Sequence, residues 1–134
     1  NTHTILDKII NQTAGPCTED ILYTNAAGLI TTCVSGMELT TGPRSAGGAL
    51  KNYLTPLEAY FCADVFKAAA GLRLDQALEI VNYCLGHYEE HVADQPKGQS
   101  YYECYDRASG KPSAQWDEID ARVRTDLRRF GLRL

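Results

Sequence analysis

Between Ser35 and Gly48 the chain concentrates four glycines, one proline and a lone arginine, and seven residues later it starts a strongly capped helix. No regular helix runs through Gly42-Pro43-Arg44-Ser45-Ala46-Gly47-Gly48, because glycine and proline both interrupt it. Such a loop lets backbone approach something closely, and a cation inside it is a candidate for binding. Thr55-Pro56-Leu57-Glu58 then combines a threonine cap, proline at the first helical position and a glutamate that completes a capping box. Leu57, Phe61, Val65 and Ala68 give that helix its apolar face, and Gly71 ends it.

The other segments follow from the same reading. Ile5, Leu6, Ile9 and Ile10 have the spacing of a short helix, broken by Ala14-Gly15-Pro16. Thr18 caps a second helix, with Glu19 and Asp20 in the first turn where the dipole favours acids. Ile21, Leu22, Asn25, Ala26, Leu29, Ile30 and Cys33 share its face, and Gly36 stops it. Met37 to Thr41 suits a short strand, and Gly42 to Gly48 follows as a loop. A helix from Asp75 to His91 carries the stripe Leu78, Val81, Leu85 and Tyr88. Asp94 to Gln99 is a connection, and Tyr101 to Tyr105 fits one helical turn. Ser113 caps the last helix, whose stripe is Trp116, Ile119, Val123, Leu127 and Phe130. Five helices with one or two strands leave two architectures open: a small helical bundle, or part of a larger unit whose sheet lies elsewhere.

Length and charge narrow the function. At 134 residues and 44% apolar the chain supports one domain with a core. A net charge of −4 and a pI near 5.3 argue against nucleic acid and against a polybasic membrane footprint. Acids interleave with the late arginines Arg124, Arg128 and Arg129, as on a solvated helix face. No apolar run approaches the ~20 residues of a membrane span, and no signal peptide is recognisable. Cys17, Cys33, Cys62, Cys84 and Cys104 form no CxxC pair, so a reducing, cytoplasmic setting is expected.

Four candidate chemistries arise. His87, Glu90 and His91 match the HxxEH pattern of an inverted zinc protease, but they sit at a helix end without an evident third ligand, so no metal is expected. Cys84 and His87 share a face as nucleophile and base, against which Cys84 lies on the apolar stripe as a buried thiol. Arg44 with the amides of Gly42 to Gly48 has the makings of an anion cradle, although the loop lacks both nucleotide-binding spacings. His3 and Gln12 either face a ligand or serve the structure. Tyr53, Tyr60, Tyr101, Tyr102 and Tyr105 are the material of subunit contacts.

The segments Ala14-Gly15-Pro16-Cys17-Thr18, Gly42 to Gly48, Leu54 to Glu58 and Glu103-Cys104-Tyr105-Asp106 together resemble the C-terminal region of the monomethylamine methyltransferases of methylamine-using archaea and bacteria. The resemblance implies an α/β fold: the closing part of a (β/α)8 TIM barrel plus C-terminal helices, the fragment itself being mostly α. Residues 1–54 would be the closing strand-loop-helix units, and 55–134 the final barrel helix and a helical extension. It implies transfer of a methyl group from monomethylamine to the Co(I) of a separate corrinoid protein, in methylamine metabolism and methanogenesis. The corrinoid is then carried by the partner, with no cofactor bound directly, and the enzyme is a homo-oligomer. The family's pyrrolysine has no counterpart here, so the 134 residues alone are expected to be inactive. On this resemblance His3 and Gln12 are the catalytic candidates, and Arg44, Gly42, Gly47 and Gly48 form the active-face loop. The competing reading is a stand-alone helical oligomerisation module without catalysis.

Overall fold

The computed structural model describes residues 4–134. Strand β1 (Asp7–Asn11) leads through Pro16 to helix α1 (Glu19–Val34), which returns to strand β2 (Leu39–Arg44). β1 and β2 pair in parallel, so the first third of the described chain is a β-α-β unit. A tight 3-10 turn (Ser45–Gly48) leads to α2 (Pro56–Ala69) and α3 (Leu74–Leu85). A second 3-10 segment (Glu89–Asp94) precedes the single-turn α4 (Tyr101–Cys104), the two-residue strands β3 (Tyr105–Asp106) and β4 (Lys111–Pro112), and α5 (Ala114–Arg128). The described residues are mostly helical, with one small parallel and one small antiparallel sheet. None of their helices is long and apolar enough to cross a membrane.

Three sequence expectations change. The Ile5-Leu6-Ile9-Ile10 run is strand, not helix: only Ile10 of β1 is buried, against Gly28 of α1. Adjacent isoleucines satisfy helical spacing and a parallel strand equally, and pairing with β2 decides for the strand. The second strand begins at Leu39 and continues through Gly42, Pro43 and Arg44, which the sequence placed in a loop. Its register slips there: Ile9 faces Thr41 but Ile10 faces Pro43, leaving Gly42 as an extra residue. A bulge suits Pro43, which has no N–H for the ladder. The third helix ends at Leu85 rather than His91, and it buries Ala77, Ile80 and Cys84. Leu78, expected in the stripe, is 58% exposed, because α1 meets the neighbouring face.

The capped starts hold. Thr18 accepts from the Ile21 N–H at 3.4 Å and Ser113 from the Trp116 N–H at 3.2 Å. Helix α1 is the central element, packed against α2, α3 and α5. Nine of its residues are buried, the all-round burial of a helix with neighbours on several sides. Arg124 of α5 reaches Asp64 of α2 at 2.9 Å while also gripping Asp120. His91 Nε2 lies 2.7 Å from Asp20 Oδ2, tying the second 3-10 segment to the start of α1.

Glu58 is fully buried. Its carboxyl accepts from the Thr55 N–H at 3.0 Å and the Ser45 hydroxyl at 2.7 Å, and contacts the Thr55 hydroxyl. Thr55 Oγ1 also accepts from Trp116 Nε1 at 3.1 Å. Burial pushes the Glu58 carboxyl above its ordinary 4.5, and the hydrogen bonds from Ser45 and Thr55 oppose that only in part. A group bound to its proton more tightly when folded contributes stability that is complete below the unfolded value and lost as pH rises through the folded one. Stability should therefore decline as pH climbs from about 4.5, and Glu58→Gln should flatten that slope. Urea melts at a series of pH values check this, and an unchanged slope in the variant would refute the assignment.

Candidate functional site at the strand ends

Parallel pairing delivers the C-terminal ends of β1 and β2 to one side, so Asn11 and Gln12 emerge beside Arg44 and Ser45. The turn after β2 closes onto the chain after β1. The Ala46 N–H donates to the Ala14 carbonyl and the Gly47 N–H to the Gln12 carbonyl, each at 2.7 Å. Ala46, at φ 50°, takes the left-handed conformation that makes this fold-back possible.

Gln12 is buried and committed at both ends of its amide. Oε1 accepts from the Arg44 N–H at 3.0 Å, so Nε2 must be the group that donates to Asn25 Oδ1. Reversing either amide would set donor against donor. Asn25 Nδ2 is consequently left as the buried polar side-chain atom without a partner among the described residues. Gln12 thus pins the ends of both strands and the turn, and Asn25 fixes the direction of its amide. An amide in the apolar stripe of α1 was the sequence signal for Asn25, because buried polar groups need partners.

Beside this clamp lies a cleft of about 210 Å³, lined by Pro43, Arg44, Ser45, Gly48, Leu50, Asn52, Tyr53 and Leu54. The Arg44 side chain lies across Gly48: a Cβ there would stand 2.9 Å from both Nε and Nη2. Gly48 also has φ +69°, so two independent demands select glycine. No carboxylate among the described residues pairs with Arg44.

The structure thus brings together Gln12, Arg44, Gly47 and Gly48. Gly42 sits one step back, inside β2, as the bulge residue. His3 lies outside the described residues. The expected cradle of backbone amides is corrected in part: those of Ala46 and Gly47 point inward to carbonyls, leaving the guanidinium as the exposed charge.

The remaining candidates lie elsewhere. His87 stacks on Tyr23 with ring centres 3.8 Å apart, whereas His91 turns to Asp20. The helix ends before both, so the i, i+4 geometry of a shared metal is absent. Among the described residues no cluster of three His, Cys, Asp or Glu groups is placed to hold a metal ion. Cys84 is fully buried and its thiol is pushed up to about 12 by desolvation, the signature of a packing residue rather than a nucleophile. Tyr53 lines the cleft, Tyr101 stacks on Tyr105, and Tyr60 and Tyr102 are exposed.

The segment after β1 is also held from behind. Gly15 N–H donates to the Pro96 carbonyl at 3.0 Å, and Gln99 N–H to the Pro16 carbonyl at 2.9 Å. Buried Gln95 accepts from Thr13 at 2.5 Å and donates to Thr24 at 3.2 Å. The site therefore rests on a crossing of residues 13–16 with residues 95–99.

Known proteins resemble this chain in sequence and in fold. The family model of monomethylamine methyltransferase MtmB matches residues 1–132. Monomethylamine methyltransferase MtmB of Methanosarcina mazei is 33% identical over 119 residues, covering 89% of this chain and 26% of that protein. MtmB1 of Methanosarcina acetivorans matches to the same extent. The crystal structure of Methanosarcina barkeri MtmB superposes with a TM-score of 0.88 at 30% identity, over 96% of this chain and 28% of that one. The structure of a hydroxylamine complex of MtmB superposes equally well. The chain spans about a quarter of the length of these relatives, and by sequence and by fold it belongs to the monomethylamine methyltransferase MtmB family.

Proposed function

We propose that this chain is the C-terminal portion of an enzyme that moves the methyl group of monomethylamine to the Co(I) of a corrinoid protein. In this reading β1-α1-β2 closes a (β/α)8 barrel whose preceding strands come from polypeptide before Asn1. The exposure of Ile9 and Leu39 on the two paired strands supports that placement, since parallel sheets are normally covered on both faces. The observation that carries the functional reading is the gathering of Gln12, Arg44, Gly47 and Gly48 at the C-terminal ends of parallel strands. Barrel enzymes place their chemistry there.

The reaction is a displacement at saturated carbon, which needs a fixed methyl group, an amine made into a leaving group and a close approach by the nucleophile. The corrinoid supplies that nucleophile and arrives on the partner protein. This chain supplies walls. The Gln12–Asn25 pair holds both strand ends and the turn in one position, so the rim of the cavity does not shift as the partner docks. Arg44 would repel a protonated amine and so serves the rim, not the substrate. Exposed Tyr60 and Tyr102 offer surface for contacts between copies of the enzyme.

Methyl transfer from monomethylamine to cob(I)alamin, followed by the spectral change of the corrinoid, tests the proposal. An upstream-extended chain should turn over and the 134 residues alone should not. No turnover by either form would remove the assignment, and activity of the short chain would remove its dependence on preceding polypeptide.

A further inference from the structure

We infer that α5 braces the turn after β2 from behind through a buried relay, Trp116 to Thr55 to Glu58 to Ser45. These four are then positioning residues for the rim. That the rim borders a reaction rests on the proposed function; the relay does not.

The relay has a fixed direction because its first member has no choice. The Trp116 indole N–H can only donate, and it donates to Thr55 Oγ1 at 3.1 Å. The single hydrogen of the Thr55 hydroxyl is then free for Glu58, which it meets at Oε2. The other carboxyl oxygen accepts from the Ser45 hydroxyl at 2.7 Å and from the Thr55 N–H at 3.0 Å. Trp116 and Glu58 have no exposed surface, while Thr55 and Ser45 have 2% and 3%. Polypeptide preceding this chain could only bury these atoms further, so the relay does not depend on what covers the strands.

The turn at its far end needs holding. Ala46 sits at φ 50°, ψ 37° and Gly47 at φ 67°. A left-handed alanine persists only where its surroundings enforce it. From the front, the Ala46 and Gly47 N–H groups donate to the Ala14 and Gln12 carbonyls. From behind, Ser45 to Glu58 is the one side-chain hydrogen bond of residues 45–48 among the described residues. The near end is well anchored. Tyr23 of α1 donates to Asp126 of α5 at 3.0 Å, and Arg124 of α5 reaches Asp64 of α2. Linked polar groups in a dry interior act as a unit, so the seating of α5 and the shape of the turn are coupled.

Amide hydrogen exchange of the isotope-labelled chain tests this at Ala46 and Gly47. Gly36 is the reference, since its N–H donates to the Cys33 carbonyl in a turn at the opposite end of α1. Trp116→Phe keeps most of the ring volume but lacks the N–H, and Ser45→Ala removes the far link without touching α5. Each should speed Ala46 and Gly47 exchange about tenfold relative to Gly36, in line with losing one buried hydrogen bond. Because both cut the same relay, the double variant should stay near the single ones and well short of a hundredfold. Val123→Ala, which thins the core of the same helix outside the relay, should lower overall stability and leave the ratio unchanged. A ratio unmoved by Trp116→Phe, additive effects in the double variant, or an equal rise in Val123→Ala would each overturn the inference. No methylamine enters the measurement, so the expected exchange pattern without methyl transfer would sink the proposed function alone.

Discussion

Gly15→Ala should destabilise the chain by about 3 kcal/mol or more in a urea melt, a large share of the roughly 5–15 kcal/mol that holds an ordinary domain folded. A methyl carbon on Gly15 would stand 1.6 Å from the Lys97 carbonyl oxygen and 2.6 Å from its carbon. Both atoms are backbone and cannot swing aside as a side-chain tip can. The opposing glycine is equally confined: a Cβ on Gly98 would lie 2.0 Å from the Pro16 carbonyl oxygen, at φ +68°. Gly98→Ala should therefore have a comparable effect. Separating the two chain segments to make room would break the Gly15–Pro96 and Gln99–Pro16 hydrogen bonds together. Gly42→Ala is the control, since nothing lies within 4 Å of its Cβ position; it should change stability by less than about 0.5 kcal/mol. A mild Gly15→Ala would mean that the crossing is looser than drawn.

Trp116→Ala should cost about 3–5 kcal/mol, the range for deleting a fully buried large aromatic. Trp116 has no exposed surface, and its indole N–H is the link from α5 to Thr55. Removing it opens a void in the core and also leaves Thr55 Oγ1 short of one donor, next to the buried Glu58 carboxyl. Trp116→Phe separates these effects: it refills much of the void, and the remaining loss of about 1–2 kcal/mol reports the hydrogen bond and the residual gap. Equilibrium denaturation of both variants provides the check. Equal losses would show that the hydrogen bond dominates and the ring volume matters little.

The features legible in the sequence were those written in consecutive residues. Thr18, Thr55-Pro56-Leu57-Glu58 and Ser113 announced three helices because a cap and its first turn are local chemistry. Trp116, Ile119, Val123 and Leu127 kept one face of α5 readable, since that helix is polar elsewhere and all four are buried. The failures lay where two periods fitted the same letters, as at Ile9 and Ile10, or where two faces were both apolar, as in α3. There only the neighbouring element chooses. In the site, Arg44 and the glycines stood out by composition, and Gln12 by its place before a Gly-Pro break. The partner that orients Gln12 did not, because Asn25 appeared as one more member of a stripe. Glu58 read as a capping residue, yet it also receives the Ser45 hydroxyl from the turn, a contact invisible to spacing. The Gly15–Gly98 crossing joins segments far apart in the chain, so neither glycine marked itself.

The extra residue at Gly42 decides how the strand leaves the sheet. Side chains along a strand alternate between sides, and a bulge takes up one residue so that the ladder beyond it resumes in step. Arg44 stands opposite Asn11 because the slip at Gly42 absorbs that residue; paired in strict sequence, Pro43 would stand there instead. A bulge also bends its own strand and tightens the local twist. A chain shortened by that single glycine would keep Arg44 across from Asn11 but straighten the ribbon end from which the Ser45–Gly48 turn departs, so the aim of the rim, and not the side it occupies, hangs on one small residue.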